Sequence, residues 1–163
     1  MRHALRVDVQ FAARRPWVPH AALVRRWIAA ALGRVPARRI SGTQAASPLP
    51  LVVSVKIVGT QAGRSLNSRF RGKDRPTNVL SFQGPGRAAS IEHMLGDIVI
   101  CAPVLAREAR AQGKRLEAHW AHIVVHGCLH LAGFDHLRPG QARVMEALER
   151  QIIESMGFSD PYG

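Results

Sequence analysis

Residues 126–136 read HGCLHLAGFDH, and this stretch decides how the rest of the chain is interpreted. His126 and His130 are four positions apart, so on a helix both imidazoles lie on one face, one turn apart. Gly133 falls where such a helix must end, and glycine accepts the left-handed dihedral angles of a chain reversal. A tight turn there brings His136 back toward the same point. The spacing therefore predicts three imidazole ligands for one metal ion and one open coordination position, as in catalytic zinc sites.

The same spacing occurs in the metzincin proteases, whose pattern is His-Glu-x-x-His-x-x-Gly-x-x-His. Here the residue after the first histidine is Gly127, so the glutamate that serves those proteases as general base is absent. The sequence thus keeps the metal ligands and argues against peptide hydrolysis by the usual route. One Zn²⁺ per chain is the expected cofactor, although iron, nickel and copper also accept imidazole ligands.

Three further residues in or beside this motif are His122, Asp135 and Cys128, and the first two have more than one possible role. His122 lies one turn before His126 on the same stripe and is expected either to support a ligand or to meet the substrate, because a fourth protein ligand would close the site. Asp135 is expected either to orient an imidazole or to cap the turn. Cys128 faces away from His126 on the predicted helix, so it is expected in the core.

The remaining sequence predicts an α+β fold in one domain, 1–163, with a small mixed four-stranded sheet covered by helices. Alternating or β-branched runs predict the strands, and apolar residues at helical spacing predict the helices. Residues 34–50 are rich in Pro, Ser, Gly and Arg and predict a flexible loop, and a glycine-rich loop is expected at 83–90. The predicted strands are Leu5–Gln10, Leu51–Val58, Val79–Phe82 and Asp97–Cys101, and the predicted helices are Pro19–Leu32, Gln61–Phe70, Pro103–Gln112, Leu116–Leu131 and Gln141–Met156.

Composition and charge narrow the class of partner. The 163 residues are 47% hydrophobic and 21% charged, which is ordinary for a globular protein and excludes a disordered or fibrous one. The net charge is +12, and all of the excess lies in residues 1–75, which hold 15 basic and 2 acidic residues. A one-sided basic field suits a polyanion such as nucleic acid. No stretch is apolar enough to span a membrane, and two cysteines form no disulfide framework, so a cytoplasmic protein is expected.

Three blocks of this sequence closely resemble the YbeY family of bacterial metal-dependent endoribonucleases. The first is HGCLHLAGFDH at 126–136, the second is LNSRFRGKDRPTNVLSF at 66–82, and the third is LGDIVIC at 95–101. The resemblance implies a zincin-like metal site with zinc on His126, His130 and His136, and cleavage of single-stranded RNA. It further implies maturation of the 3′ end of small-subunit ribosomal RNA, ribosome quality control, and small-subunit components and an RNA-binding GTPase as partners.

The resemblance also assigns a functional arginine to Arg71. Its neighbours support this independently, because Arg69, Arg71, Lys73 and Arg75 alternate around Gly72. In an extended segment the four side chains would project to one side as a row that grips phosphates. Arg71 is therefore the expected catalytic residue, and Arg69, Lys73 and Arg75 are the expected RNA-binding residues.

Three competing functions make different predictions. A non-catalytic ribosome assembly factor would use zinc only to stabilise the fold and its basic face to bind RNA. A metallopeptidase would need a glutamate at position 127. A small metallohydrolase acting on nucleotides or amides would turn over small substrates and would not need the large basic surface. The sequence also leaves open whether water or the RNA 2′-hydroxyl attacks the phosphate.

Overall fold

The computed structural model describes residues 4–41, 49–86 and 92–163 and confirms an α+β fold with a four-stranded mixed sheet. Its strands are β1 Leu5–Phe11, β2 Leu51–Val58, β3 Val79–Gly86 and β4 His93–Cys101. Its helices are α1 Ala21–Leu32, α2 Ala37–Ser41, α3 Thr60–Arg71, α4 Ala102–Ala111, α5 Leu116–Leu131 and α6 Pro139–Ser155.

The sheet has the order β1-β2-β4-β3. Strands β1, β2 and β4 are parallel, whereas β3 runs antiparallel to β4 at the edge of the sheet. Six of the eight residues of β2 are buried, which is typical of a strand covered on both faces. The antiparallel edge strand matters for the site, because it brings β3 alongside α5.

Helix α5 runs through the centre of the molecule, in contact with α1, α4, α6 and the sheet. Ten of its sixteen residues are buried, among them Trp120, Val124 and Leu129 with no exposed surface. Burying side chains of this size contributes on the order of 1.5–3 kcal/mol each. Packing on several sides therefore fixes the helix that carries the first two histidines of the motif.

Close packing against the sheet explains the glycine at position 127. A Cβ atom there would lie 3.0 Å from Ile98 Cγ2, 3.2 Å from Val79 Cγ2 and 3.3 Å from Ser81 Oγ. The Ser81 hydroxyl also donates a hydrogen bond to the Gly127 carbonyl oxygen, at 3.1 Å. A glutamate at this position would collide with the sheet, so the absence of the protease base follows from the way the helix crosses β3 and β4.

Two predicted loops differ from the structure. The predicted loop 34–50 contains helix α2, which Ile40 anchors with 8% of its surface exposed, and 42–48 lie outside the described residues. The predicted loop 83–90 begins inside the sheet, because β3 continues to Gly86 and β4 already begins at His93. Cross-strand hydrogen bonds across an irregular register extend both strands through a segment of low strand propensity. Residues 87–91 are not described.

Two simpler expectations concern membranes and cysteines. Within residues 4–41, 49–86 and 92–163, the helices are all too short or too polar to cross a bilayer. Cys101 and Cys128 are both buried free thiols. The prediction that Cys128 lies in the core is confirmed, and burial raises its pKa to about 12.

Candidate functional site

The three histidines of the motif meet at one point. His126 Nε2 and His130 Nε2 are 3.1 Å apart. The His136 ring centroid lies 5.4 Å from that of His126 and 5.0 Å from that of His130. One ligand nitrogen from each of the three lies within 4.8 Å of the other two. The structure thus brings together the three residues that the spacing predicts as ligands.

The turn after α5 is what returns His136 to the helix. Gly133 adopts φ +88°, the left-handed conformation that glycine takes without strain. Asp135 Oδ1 then accepts a hydrogen bond from the His136 backbone N–H at 2.7 Å. Of the two roles open to Asp135, the structure shows that of a turn cap.

A buried glutamate that the sequence analysis missed holds the first histidine. His126 Nδ1–H donates to Glu149 Oε1 at 2.8 Å, and Glu149 is 0% exposed. Because Nδ1 carries the proton in this bond, the lone pair of Nε2 points to the shared centre. A carboxylate behind a ligating imidazole fixes both its tautomer and its orientation, as in known zinc sites.

Glu149 also accepts two further hydrogen bonds. His122 Nε2–H donates to Oε2 at 2.7 Å, and the Tyr162 hydroxyl donates to the same oxygen at 2.6 Å. These separations are those of hydrogen bonds, whereas two ligands of one tetrahedral zinc stand about 3.3 Å apart. His122 therefore supports Glu149 rather than forming a second ion site with His126 and Glu149.

Burial and hydrogen bonding act in opposite directions on this carboxylate. Burial alone would raise the pKa of Glu149, but hydrogen bonds from His122, His126 and Tyr162 lower it to about 2. Burial also lowers the pKa of His130, and nearby His126 and His136 lower it further. The result is an ionised Glu149 carboxylate behind His126 and a favoured neutral form of His130, and neutral imidazole is the form that binds metals.

The chemistry of this donor set fits a zinc ion. The Nε2 separation of His126 and His130 is close to the value of about 3.3 Å expected for two nitrogens on one tetrahedral zinc. His136 is exposed, so the third ligand stands on the open side of the cluster. The arrangement leaves access for a further ligand.

Arg71 faces the same region from the end of α3. A cleft of about 400 Å³ has His130 on one wall and Arg71 on another. Its other lining residues are Val79, Ser81, Gln83, Gly133, Phe134 and Asp135. The Arg71 guanidinium donates from Nη2 to the Ser81 carbonyl oxygen at 3.4 Å and lies 6.0 Å from the Phe82 ring centroid. A cation thus shares a cleft with His130 of the histidine cluster.

The predicted extended row of basic residues is wrong. Arg69 and Arg71 lie in the last turn of α3, which ends at Gly72, so the four basic residues do not alternate along a strand. Arg69 turns instead toward Phe70, with its guanidinium 5.3 Å from that ring. Lys73 and Arg75 are exposed in the following turn, and none of these three residues lines the cleft.

Buried Asn67 holds that turn in place, donating from Nδ2 to the Arg75 carbonyl oxygen at 2.7 Å. A two-bonded ion pair between Arg64 and Asp74, with both distances 2.8 Å, crosses the same segment. Asn67 belongs to the LNSRFRGKD block but was not singled out as a structural anchor. Its side chain fixes the segment that follows Arg71.

The sequence contains a signal for Glu149 but none for the cleft residues Ser81 and Gln83. Glu149 interrupts the apolar stripe of α6 between Met145 and Ile152, and an acid at a core position needs a partner. Ser81 and Gln83 lie on an edge strand, and their place beside α5 follows only from the sheet order.

A family model and a solved structure are both similar to this chain. A family model described as endoribonuclease YbeY matches residues 24–157. The solution structure of TM1509 from Thermotoga maritima, titled "VT1, a NESGC target protein", is similar in fold with a TM-score of 0.56 and 24% sequence identity. The match covers 91% of this chain and 87% of that one. Because the family model spans most of the chain and includes the histidine motif, this protein belongs to the YbeY family of endoribonucleases, which act on RNA in ribosomal RNA processing.

Proposed function

We propose that this protein is a zinc-dependent endoribonuclease that cleaves single-stranded RNA. The observation that carries the proposal is the common cleft of His130 and Arg71, in which one histidine of the cluster and a guanidinium face one volume. Phosphodiester hydrolysis develops negative charge on phosphoryl oxygens, and a cation on either side of the phosphate stabilises that charge.

The proposed substrate is the precursor of small-subunit ribosomal RNA, cut near its mature 3′ end. Family membership supports an RNA substrate, and the 15 basic residues among the first 75 support a long polyanion over a small nucleotide. Action in ribosome quality control, small-subunit components and an RNA-binding GTPase as partners, and a cytoplasmic location belong to the same proposal.

The histidines, Glu149 and Arg71 would each have a separate role in the reaction. His126, His130 and His136 would hold one Zn²⁺, with Glu149 keeping Nδ1 of His126 protonated. Zinc supplies Lewis-acid chemistry that acidifies water or polarises a phosphoryl oxygen. Arg71, which the Ser81 carbonyl oxygen steadies, would donate N–H groups to the non-bridging oxygens of the phosphate. Product ends distinguish the attacking group, because a 2′,3′-cyclic phosphate requires attack by the 2′-hydroxyl.

Arg69, Lys73 and Arg75 would bind the RNA backbone outside the cleft. All three are exposed next to Arg71, so each would attract phosphates without reading bases. Removing any one of them should weaken binding modestly for every RNA sequence and reduce its salt dependence by about one unit of slope.

The competing function is a non-catalytic assembly factor in which zinc only stabilises the fold. The burial of α5 favours it, because a metal on this central helix would stabilise the whole core. It requires that RNA binding and biological rescue survive loss of the metal once folding is restored.

The test uses an end-labelled small-subunit ribosomal RNA precursor and zinc-quantified protein. Wild type, His130→Ala and Arg71→Ala are purified in parallel, which also controls for contaminating ribonuclease. We expect cleavage near the mature 3′ end by wild type only. Equal cleavage by all three proteins, or RNA binding without cleavage by wild type, would refute the nuclease and favour the assembly factor.

A further inference from the structure

A second cleft lies on the other side of the turn that carries His136. It has a volume of about 250 Å³ and shares Gly133, Phe134 and Asp135 with the cleft of Arg71 and His130. The two clefts are thus neighbours across three residues of one turn. Neighbouring clefts of this kind suit neighbouring parts of one strand, with a phosphate in the first and a base in the second.

Arg39 of α2 forms one wall of this second cleft. Its guanidinium carbon lies 4.1 Å from the Phe134 ring centroid, and Nη1–H donates to the Gly133 carbonyl oxygen at 3.4 Å. The residue as a whole is exposed. The contact with Phe134 and the hydrogen bond to Gly133 hold the guanidinium at the edge of the cleft.

The other walls suit a neutral planar ligand better than a second phosphate. Gln141 offers an amide that both donates and accepts, and Val144 offers apolar surface that is 56% exposed. Asp135 lines both clefts and so does not distinguish them, but Oδ2 of its carboxylate can accept from an amino group. Single-stranded RNA is recognised in this way, by stacking bases on arginine planes or rings and bonding their edges.

We propose that this cleft binds the base of the nucleotide next to the scissile phosphate, stacked on Arg39 and bonded at its edge by Gln141. The inference rests on the proposed function, because it takes the scissile phosphate to lie beside Arg71 and His130. A base bound there would fix which phosphate of the strand lies beside the histidine cluster.

Binding of short RNA tests the proposal without requiring cleavage. The probes are a fluorescent single-stranded RNA heptamer and copies in which one nucleotide at a time is abasic. Dissociation constants are measured by fluorescence anisotropy for zinc-loaded wild type, Arg39→Ala, Arg39→Lys and Arg38→Ala. Arg38→Ala is the matched control, because Arg38 is an exposed arginine of the same helix, lines neither cleft, and its loss changes the charge equally.

We expect one abasic position to weaken binding to wild type by roughly 5- to 150-fold, the range for one stacked base. Arg39→Ala should bind intact RNA more weakly by a similar factor. It should bind that abasic copy no more weakly than it binds intact RNA. Arg39→Lys keeps the charge but not the plane and should resemble Arg39→Ala. Arg38→Ala should stay within about threefold of wild type, the modest share of a single exposed phosphate contact.

Two results would overturn the base site. One is an equal loss of RNA affinity in Arg39→Ala and Arg38→Ala, which would mean that Arg39 contributes only its charge. The other is an Arg39→Ala variant in which the abasic copy still binds more weakly than intact RNA by the same factor as in wild type. Circular dichroism and thermal unfolding check that the variants fold, and Gln141→Ala probes the opposite wall should Arg39→Ala unfold. Failure of the nuclease proposal is separate, since it appears as absence of cleavage by wild type whatever these binding constants are.

Discussion

Replacing Glu149 by glutamine should weaken zinc binding although Glu149 is not expected to touch the metal. The carboxylate accepts three hydrogen bonds, from His126, His122 and Tyr162, at 2.6–2.8 Å. An amide has one oxygen and one NH₂ group, so at least one of these donors would meet another donor. If the NH₂ group faces His126, the ring must accept at Nδ1 and carry its proton on Nε2, the atom aimed at His130. That tautomer cannot bind the ion.

Changes behind a ligating histidine lower metal affinity by about 10- to 100-fold, or about 1.4–2.7 kcal/mol. We expect the zinc affinity of Glu149→Gln to fall by a factor in that range, as measured by competition with a chromophoric zinc chelator. Glu154→Gln is the control, because it removes the same charge from an exposed position on the same helix. Zinc affinity of Glu149→Gln within twofold of that control would refute the orienting role.

The same variant should change the acid stability. The pKa of Glu149 lies near 2 in the folded protein, below its ordinary value of 4.5, so the folded state favours the ionised form. The stabilisation is fully present above about pH 4.5 and is lost as the pH falls toward 2, and it amounts to roughly 3 kcal/mol. Urea unfolding with EDTA between pH 2 and 6 should show this slope in wild type. In Glu149→Gln the slope should be shallower, and an unchanged slope would contradict the assignment.

Four further predictions concern Arg71, Tyr162, Gly127 and the metal. Arg71→Ala should lower kcat/KM for RNA cleavage by about 100- to 1000-fold. Arg69→Ala makes an equal charge change outside the cleft, and its kcat/KM should stay within about fivefold of wild type. Equal losses in the two variants would remove Arg71 from the site. Tyr162→Phe should reduce zinc affinity less than Glu149→Gln in the chelator assay, because it removes one of three donors to the carboxylate; a larger loss would contradict this order. Gly127→Ala should lower the free energy of unfolding in urea by about 1–2 kcal/mol, since overpacking against Ile98 and Val79 exceeds the gain in helix propensity; a more stable variant would disprove the close approach. Zinc at 100 times its Kd should raise wild-type stability by about 2.7 kcal/mol and leave His130→Ala unchanged in thermal unfolding; an equal shift in both would place the ion elsewhere.

Local sequence patterns predicted the elements whose signals are periodic. Strand β2 and helix α5 have the bounds that their apolar patterns predict, Leu51–Val58 and Leu116–Leu131. The two loops were less predictable, because helix α2 depends on burying Ile40 and the ends of β3 and β4 depend on hydrogen bonds to each other. Propensity describes a segment by itself, and these segments take their structure from a neighbour.

The sequence by itself determined the histidine cluster and its turn. His126, His130, Gly133 and His136 are close along the chain, so helix periodicity and one glycine conformation bring them together. Only the tertiary structure decided what surrounds them. Glu149, Arg71 and Arg39 come from three other helices: Glu149 bonds His126, Arg71 shares a cleft with His130, and Arg39 contacts the turn at Gly133 and Phe134. Contacts between residues far apart in sequence depend on the whole fold, and no local spacing encodes them.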